Sequence, residues 1–346
     1  MSTFEDIRYT RQADFDIQKK DLIDFQFDMP KRVYGNCNLS IFVDDYCNAD
    51  CMFCVAQLRY ENRSMIYKKP KIESDAEYFR RLEEVLARVA PLNVSVSLTG
   101  GEPTLSPRFA GVVRLLDKYN IRKKTITTNG SALLREVEGK RVIDHLIDAK
   151  FDHLNISKAH YDEARNLVLM PYPCGERGCT NEDLAQIIPY ALSKNLRPRL
   201  SCLLLKDGIH DLPGMVEYIE FYRKLGIDNI IFRELMDYDV NTMINQEKVA
   251  YCQRNKVRLN DVWQDVDKDC RFEPEKNILG YYYYVEIYQY KGVAVCSESA
   301  DLRVQKEEKE AHGDIVYEMV FHPNGNLNGS WVDSEDILLK YNRKNY

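Results

Sequence analysis

The sequence predicts an α/β fold: a partial (β/α)6 barrel, open on one side, followed by a small α+β C-terminal element. Three observations predict it. Apolar, β-branched runs alternate with amphipathic helical stretches from Leu39 to Leu235, which indicates parallel strands joined by right-handed crossovers. The six units are too few for a closed eightfold barrel. Glycines and polar residues follow the apolar runs, where parallel barrels carry their functional groups.

The predicted barrel elements follow one another in chain order. The six strands share short apolar runs, and they span Leu39–Val43, Val94–Leu98, Lys124–Thr128, His153–Ser157, Pro198–Leu205 and Asp228–Leu235. The helices share apolar residues at helical spacing, and they span Asp75–Val89, Phe109–Tyr119, Val142–Asp148, Leu184–Lys194 and Met215–Leu225. We therefore predict a barrel domain over residues 38–238.

The flanking segments differ in texture from the barrel. Residues 1–37 are polar and irregular, and we interpret them as an N-terminal extension without a core of its own, in which residues 17–27 could form a short strand or a poor helix. Residues 239–346 are predicted to form a C-terminal domain that covers the open side of the barrel. Its signals are a polar helical stretch, an aromatic alternation and a hairpin, at Glu247–Asp269, Tyr281–Tyr290, and Ile315–Phe321 with Leu327–Val332.

Composition excludes several classes of protein. The 346 residues are 45% hydrophobic and 29% charged, as is typical of globular chains, and the formal net charge of −6 argues against a broad nucleic-acid or anionic-membrane footprint. The sequence shows no signal peptide and no apolar window near the ~18 residues of a membrane span. Without an export signal, the ten cysteines favour reduced thiols or metal ligands over a disulfide scaffold. We therefore expect a cytoplasmic protein with no membrane or nucleic-acid partner.

Three cysteines lie on one short loop after the first predicted strand. Cys47, Cys51 and Cys54 follow one another at spacings of four and three. A structural zinc site needs a fourth ligand nearby, and an ordinary four-iron cluster is held by four cysteines. Three thiolates on one loop therefore suggest a cluster with one iron left open to a small chelating molecule. A zinc loop and a chance grouping of cysteines are the alternatives.

The cysteine loop and a glycine-rich turn together resemble the signature of the radical S-adenosylmethionine (SAM) enzymes. Cys47-x3-Cys51-x2-Cys54 follows the first strand, and Thr99-Gly-Gly-Glu-Pro103 follows the second, so the resemblance covers about Leu39 to Met236. It implies a radical SAM barrel whose three cysteines hold a [4Fe-4S] cluster. It also implies that reductive cleavage of SAM yields a 5′-deoxyadenosyl radical, which abstracts a hydrogen atom from the substrate. An electron donor such as flavodoxin or ferredoxin is implied as a partner.

The resemblance further implies which residues bind SAM. They share positions in the loops that follow the strands, and they are Phe53, Gly100, Gly101, Glu102, Asn129, Ser157 and Met236. Phe53 and Met236 would pack on adenine, and Ser157 would contact the ribose or the carboxylate. The two glycines would let the backbone approach the methionyl amine without a Cβ in the way. A turn role for Ser157 and a core role for Met236 are the alternatives.

Within the family, the sequence resembles the branch that contains the GTP cyclase of molybdenum-cofactor synthesis and the peptide-maturing enzymes. Thr127-Thr-Asn-Gly130 and Phe232-Arg-Glu-Leu-Met236 carry this likeness. Ser40 and Ser97 stand where the cyclase has GTP-contacting arginines, so we do not expect the cyclase itself. We expect a small polar substrate of the nucleoside, nucleotide or sugar type in a biosynthetic pathway. Modification of a ribosomally made peptide and a glycyl-radical activase are the alternatives.

Three polar residues and three further cysteines complete the predicted site. The candidate catalytic residues share side chains that can donate a proton or bind an anion, and they are His160, Tyr161 and Arg199. For the first two, a solvated loop is an equal alternative. An auxiliary iron–sulfur cluster is possible where relatives carry one, at Cys252, Cys270 and Cys296. Buried thiols are the alternative there.

Overall fold

The computed structural model describes residues 22–279, 284–299 and 302–342. The strands of the main sheet are β1 Leu22–Gln26, β2 Pro30–Phe42, β3 Ser95–Thr99, β4 Lys123–Thr128, β5 His153–Ser157, β6 Arg197–Leu203, β7 Asn229–Arg233, β8 Glu273–Leu279, β9 Tyr284–Tyr290, β10 Val293–Glu298, β11 Ile315–Phe321, β12 Leu327–Asn328 and β13 Ile337–Leu339. A separate short hairpin pairs Glu136–Val137 with Lys140–Arg141. The helices are α1 Val55–Leu58, α2 Arg63–Tyr67, α3 Asp75–Val89, α4 Phe109–Asp117, α5 Val142–Asp148, α6 Glu163–Leu169, α7 Asn181–Ser193, α8 Leu212–Arg223, α9 Gln246–Asn255, α10 Leu259–Val266 and α11 Leu302–Ala311. None of these helices is long and apolar enough to cross a bilayer.

Six strands, β2 to β7, lie side by side in chain order and pair in parallel. Helices occupy the crossovers, as parallel pairing requires. Alternate strand residues such as Leu39, Val96 and Leu154 are fully buried and belong to one apolar core with the helices. The α/β prediction of six consecutive β/α units is confirmed.

The C-terminal strands extend this sheet at both of its edges. Strand β10 pairs in parallel with β7, and β11 pairs in parallel with β2. Only the outer pairs, β8 with β9, β9 with β10, β11 with β12 and β12 with β13, are antiparallel as expected for a C-terminal element. Alternation of apolar residues gives the same pattern for either pairing, so the sequence could not reveal that this region completes the sheet.

Three predicted boundaries differ from the structure. Strand β2 begins at Pro30 rather than Leu39, because Val33 is buried and pairs with β11, so the segment before the barrel does contribute to the core. The predicted helix 247–269 is two helices, interrupted where Lys256 bridges to Leu205. The strand predicted from Leu327 ends at Asn328. Residues 17–21 and 281–283, which carried further predictions, lie outside the described residues.

The face of the sheet turned away from the helices is polar, and we call it the inner face. It comprises the alternate residues that pair across β2 to β7, including Asn38, Ser97, Thr125 and Asn155. The Ser97 hydroxyl lies 3.2 Å from Asn38 Oδ1 and 2.8 Å from the Thr125 hydroxyl. The fold therefore has an apolar layer beneath the helices and a polar interior beneath the loops at the carboxyl ends of the strands.

Candidate functional site

The cysteine loop connects β2 to the short helix α1. Cys47, Cys51 and Cys54 are all free thiols on this loop, and Cys54 is the N-cap residue of α1. Within the described residues, no three His, Cys, Asp or Glu side chains converge on a point where one metal ion could bind. That finding concerns a single ion and gives no support to a zinc loop. A multi-iron cluster, in which each thiolate binds a different iron, stays a prediction.

Burial dominates the chemistry of these thiols. It raises the pKa of Cys47 to about 12 and also raises the pKa values of Cys51 and Cys54. For Cys51, the neighbouring Cys54 and Cys47 add repulsion between thiolates. Metal ligation requires the thiolate form. The desolvation cost is therefore offset only by a strongly positive group bound among the sulfurs, as iron would be.

Two basic side chains hold the backbone of the cysteine loop. Lys248 of α9 donates to the Cys51 carbonyl at 2.7 Å and pairs with Asp50 at 3.1 Å, and it is buried. Arg63 of α2 donates to the Cys47 carbonyl. The sequence analysis did not identify either residue. Arg63 belongs to a short helix without a motif, and Lys248 lies about two hundred residues after the cysteine loop in the chain.

The glycine-rich turn packs directly against the chain that leads into the cysteine loop. Gly101 donates its N–H to the Asp44 carbonyl at 2.9 Å, and Glu102 donates its N–H to the Tyr46 carbonyl at 2.6 Å. A Cβ on Gly101 would lie 2.2 Å from Tyr46 O, and one on Gly100, whose φ is +151°, would lie 2.5 Å from Asp44 O. The missing side chains therefore make room for the protein's own backbone, a reason different from the predicted approach of a ligand.

Glu102 links this turn to the end of β4. Its buried carboxylate accepts from the N–H and hydroxyl of Thr104, the hydroxyl of Thr128 and the N–H of Asn129. Burial raises the pKa of Glu102, and these hydrogen bonds oppose the rise. The Asn129 side chain donates to Asn48 Oδ1 at 2.8 Å, and Asn48 is a residue of the cysteine loop. The loops after β2, β3 and β4 thus form one hydrogen-bonded network.

The remaining predicted SAM-binding residues lie at the same end of the sheet. Phe53 packs with Cys51 against a second apolar cluster, which consists of Leu58, Ala159, Leu169, Met170, Leu205, Leu235, Met243, Val249 and Cys252. Ser157 is the last residue of β5 and pairs with Ser201 of β6. Met236 lies half-buried just after β7. Their contacts with a cofactor stay predictions.

His160 and Tyr161 have neighbours other than the cysteine loop. The buried His160 accepts the Asp162 N–H at its Nδ1, and burial lowers its pKa. The Tyr161 hydroxyl donates to Glu217 of α8, and its ring lies 5.8 Å from that of Phe221 on the same helix. The Tyr161 side chain therefore packs against α8, and the His160 ring lies 4.6 Å from that of Tyr161. A catalytic role for either residue stays a prediction.

Arg199, the third candidate catalytic residue, lies half-buried on the inner face of β6. Its Nε is buried and has no hydrogen-bond partner within the described part of the chain. Burial lowers the pKa of this guanidinium. The side chain is therefore a buried donor aimed into the polar interior.

The three cysteines proposed for an auxiliary cluster are not brought together. Cys252 lies on α9 with its Sγ 3.9 Å from the Met52 carbonyl, so it neighbours the first cysteine loop. Cys270 is exposed in the turn before β8, and Cys296 is buried in β10 near Arg199. They lie on a helix, in a turn and on a strand, and each has different neighbours, so the structure gives no support to an auxiliary cluster.

Comparison with known proteins agrees with this arrangement. The model of the Radical SAM superfamily matches residues 41–230. The chain is 29% identical over 208 residues to a GTP 3′,8-cyclase of Peptoclostridium acidaminophilum, covering 58% of this chain and 55% of the relative. It is 28% identical over 255 residues to a probable GTP 3′,8-cyclase of Sulfolobus acidocaldarius, covering 71% and 69%. The chain thus spans little more than half the length of the first of these curated relatives.

Solved structures give a weaker likeness. The radical SAM methyltransferase TsrM of Kitasatospora setae superposes with a TM-score of 0.41 at 14% identity, over 57% of this chain and 35% of that chain. The hydrogenase maturase HydG superposes with a TM-score of 0.39 at 12% identity, over 64% and 50%. These scores add no residue-level information about the site.

Proposed function

Because the chain belongs to the radical SAM superfamily, whose enzymes use a [4Fe-4S] cluster and SAM, we propose that Cys47, Cys51 and Cys54 hold that cluster. We further propose that SAM binds beside it, over the carboxyl ends of β3 to β7. When bound, this pair of cofactors supplies reductive cleavage of SAM and removal of a hydrogen atom from the substrate. The protein's own contribution is to hold three half-buried cysteines on one loop and to fix the loops around them.

The observation that carries this proposal is the hydrogen-bonded network around Glu102. It joins the cysteine loop through Asn48 and Tyr46, and it joins the end of β4 through Asn129. A reactive pair of cofactors requires the cysteines and the SAM-binding turn to keep a fixed spacing. A buried carboxylate with four donors provides that rigidity. Gly100, Gly101, Phe53, Ser157 and Met236 line the same end and are proposed to contact SAM.

We propose that the substrate is a small polar metabolite of the nucleoside, nucleotide or sugar type. The polar inner face supports this choice, because hydrogen-bonding groups there point into the interior beneath the loops. Relatives named as GTP 3′,8-cyclases act on a nucleotide. In this chain Ser40 and Ser97, at the positions that carry arginines in the cyclase, lie on neighbouring strands, and Ser97 bonds to other protein side chains. We therefore propose a substrate other than GTP.

The proposal includes a reducing partner and a reducing compartment. A small one-electron donor such as flavodoxin or ferredoxin would supply the electron. All ten cysteines lie within the described residues and all are free thiols. That state is compatible with the cytoplasm.

Anaerobic reconstitution tests the proposed activity. The protein, supplied with iron, sulfide, a reductant and SAM, is expected to release 5′-deoxyadenosine, which chromatography with mass detection measures. Cys51→Ala should abolish the product, whereas Cys174→Ala, at an exposed cysteine outside the loop, should retain it. Absence of product from the wild-type protein, or equal yields from the wild-type protein and Cys51→Ala, would contradict the proposal.

A further inference from the structure

Basic side chains gather on the inner face, from the amino ends of β4 to β6 to the carboxyl end of β7. They share inward positions on four neighbouring strands, and they are Lys123 on β4, His153 on β5, Arg197 and Arg199 on β6, and Arg233 on β7. His153 pairs directly with Arg197, and Asn155 pairs with Arg199 in the next inward row. Burial is the first cause that lowers the pKa of His153, to about 3, and repulsion from Arg199, Lys123 and Arg197 adds to it. Lys123, His153, Arg197 and Arg199 therefore share one electrostatic environment, and Arg233 acts on Arg199.

Few acidic groups balance these cations. Within the described residues, Lys123 and Arg199 form no ion pair, whereas Arg233 pairs with Glu298 at 2.9 Å. Glu298 also acts on Arg199, and Asp152, which acts on Lys123, uses its carboxylate to accept the backbone N–H of Lys124. The inner face therefore carries an excess of positive charge.

Several buried polar atoms there also have no partner within the described chain. They share a position on the inner face, and they are Arg199 Nε, Arg233 Nε, His153 Nδ1, Asn155 Oδ1 and Asn229 Oδ1. Buried polar atoms without a hydrogen bond are uncommon in folded proteins, and each costs free energy. Like charges held together in a partly buried space cost more. Unpartnered buried polar atoms together with clustered like charges are typical of a binding site rather than of a structural core.

We propose that this cationic patch binds a phosphate group of the substrate, with Arg199 and Lys123 as its principal contacts. A single carboxylate would leave most of the charge unbalanced, whereas a phosphate ester or a diphosphate carries two or more negative charges. The guanidinium of Arg199 can bind phosphate oxygens in a bidentate manner. This inference rests on the proposed function and deepens it by naming the substrate class as a phosphorylated metabolite.

The position of the patch suits a substrate that also reaches the cofactor end. Arg199 and Ser201 lie on the same face of β6, and Ser201 pairs with Ser157 at the end of β5. Two residues along a strand span about 7 Å. A phosphate held by Arg199 would therefore leave the rest of a nucleoside or sugar to extend toward the cysteine loop.

Isothermal titration calorimetry of the whole, cluster-loaded chain with inorganic pyrophosphate tests the inference. The wild-type protein is expected to bind pyrophosphate saturably at low salt. Arg199→Gln and Lys123→Gln should each weaken binding at least about tenfold, because each removes a charge-assisted hydrogen bond. Lys118→Gln, at an exposed lysine paired with Glu83, is the matched control and should bind as the wild-type protein does.

Each outcome decides the question. No saturable binding by the wild-type protein, or binding by both inner-face variants as tight as that of the wild-type protein, overturns the inference. Circular dichroism without ligand checks folding, and if Arg199→Gln does not fold, Lys123→Gln carries the test. Ribose 5-phosphate should compete with pyrophosphate, and pyrophosphate binding without such competition overturns the assignment to a substrate. Release of 5′-deoxyadenosine is measured separately, so failure of pyrophosphate binding with intact SAM cleavage refutes only this inference, whereas the reverse result refutes only the proposed activity.

Discussion

Replacing Gly101 with alanine tests whether the glycine-rich turn braces the cysteine loop. The added Cβ would lie 2.2 Å from the carbonyl oxygen and 2.4 Å from the carbonyl carbon of Tyr46. Both are backbone atoms, so no flexible side chain can move aside. The segment from Asp44 to Tyr46 must shift instead, and Cys47 follows it directly in the chain.

The magnitude of the effect follows from the contacts that must break. Relieving the overlap requires a shift of about 1 Å, and overpacking of this kind costs about 1–3 kcal/mol. The same shift strains two backbone hydrogen bonds, from Gly101 to Asp44 at 2.9 Å and from Glu102 to Tyr46 at 2.6 Å. Each is worth about 1 kcal/mol. We expect Gly101→Ala to lower the free energy of unfolding by about 3–5 kcal/mol and the melting temperature by about 4–7 °C.

Two measurements check this expectation. Calorimetric melting of the purified protein gives the loss of stability, and iron analysis after anaerobic reconstitution shows whether the displaced loop still holds a cluster. We expect the variant to retain well under half of the wild-type iron. Gly313→Ala is the matched control, because its nearest contact would be an ordinary 3.6 Å to Lys309 O. A Gly101→Ala protein that melts with the wild-type protein and holds equal iron would refute the bracing role.

The remaining predictions concern Glu102, His153 and the cysteines. Glu102→Gln places an amide donor among four donors, so urea unfolding should show a loss of about 2–3 kcal/mol, and an unchanged midpoint would contradict the network. His153 has a pKa of about 3 in the folded protein and 6.5 as a free side chain. Below pH 6.5 the unfolded chain therefore binds a proton that the folded protein does not. The free energy of unfolding then declines by about 1.4 kcal/mol for each pH unit. In urea titrations between pH 7 and 5, His153→Gln should remove this decline, and identical slopes would count against the burial of a neutral imidazole. The Cys47/Cys51/Cys54→Ala triple variant should retain no iron after reconstitution, whereas about four remaining irons would reveal the auxiliary cluster that the separation of Cys252, Cys270 and Cys296 argues against.

Much of the fold could be predicted because its signals are local. A buried strand such as Leu39–Val43 and an amphipathic helix such as Asp75–Val89 can each be recognised from the pattern of a few consecutive residues. The cysteine loop and the Gly100-Gly101 turn are likewise continuous in sequence, and the order of the β/α units places them at the same end. These features required no knowledge of which distant segments meet.

The features that were missed depend on long-range contacts. Strands β10 and β11 pair in parallel with the edge strands of the barrel because those edges are adjacent to them in the fold. The residues of β10 and β11 do not themselves indicate which strand they pair with. Lys248 and Arg63 act on the cysteine loop through backbone carbonyls, which leave no motif. The contact of Tyr161 with Glu217 of α8 is likewise long-range and could not be read from the sequence.

The cationic patch could be predicted from the sequence only in part. Arg197 and Arg199 alternate in a strand, which already places both on one face. Identifying Lys123 and His153 as their neighbours required the register of β4, β5 and β6. The sequence therefore indicated one anion-binding arginine, whereas the structure shows which other basic residues lie near it.

The most direct test of the central claim is the electron paramagnetic resonance spectrum of the reduced, reconstituted protein with and without SAM. The claim is that Cys47, Cys51 and Cys54 hold a cluster with one iron open to SAM. It predicts a cluster signal that changes when SAM is added to the wild-type protein and that is missing from Cys51→Ala. A wild-type signal that SAM leaves unchanged would contradict it.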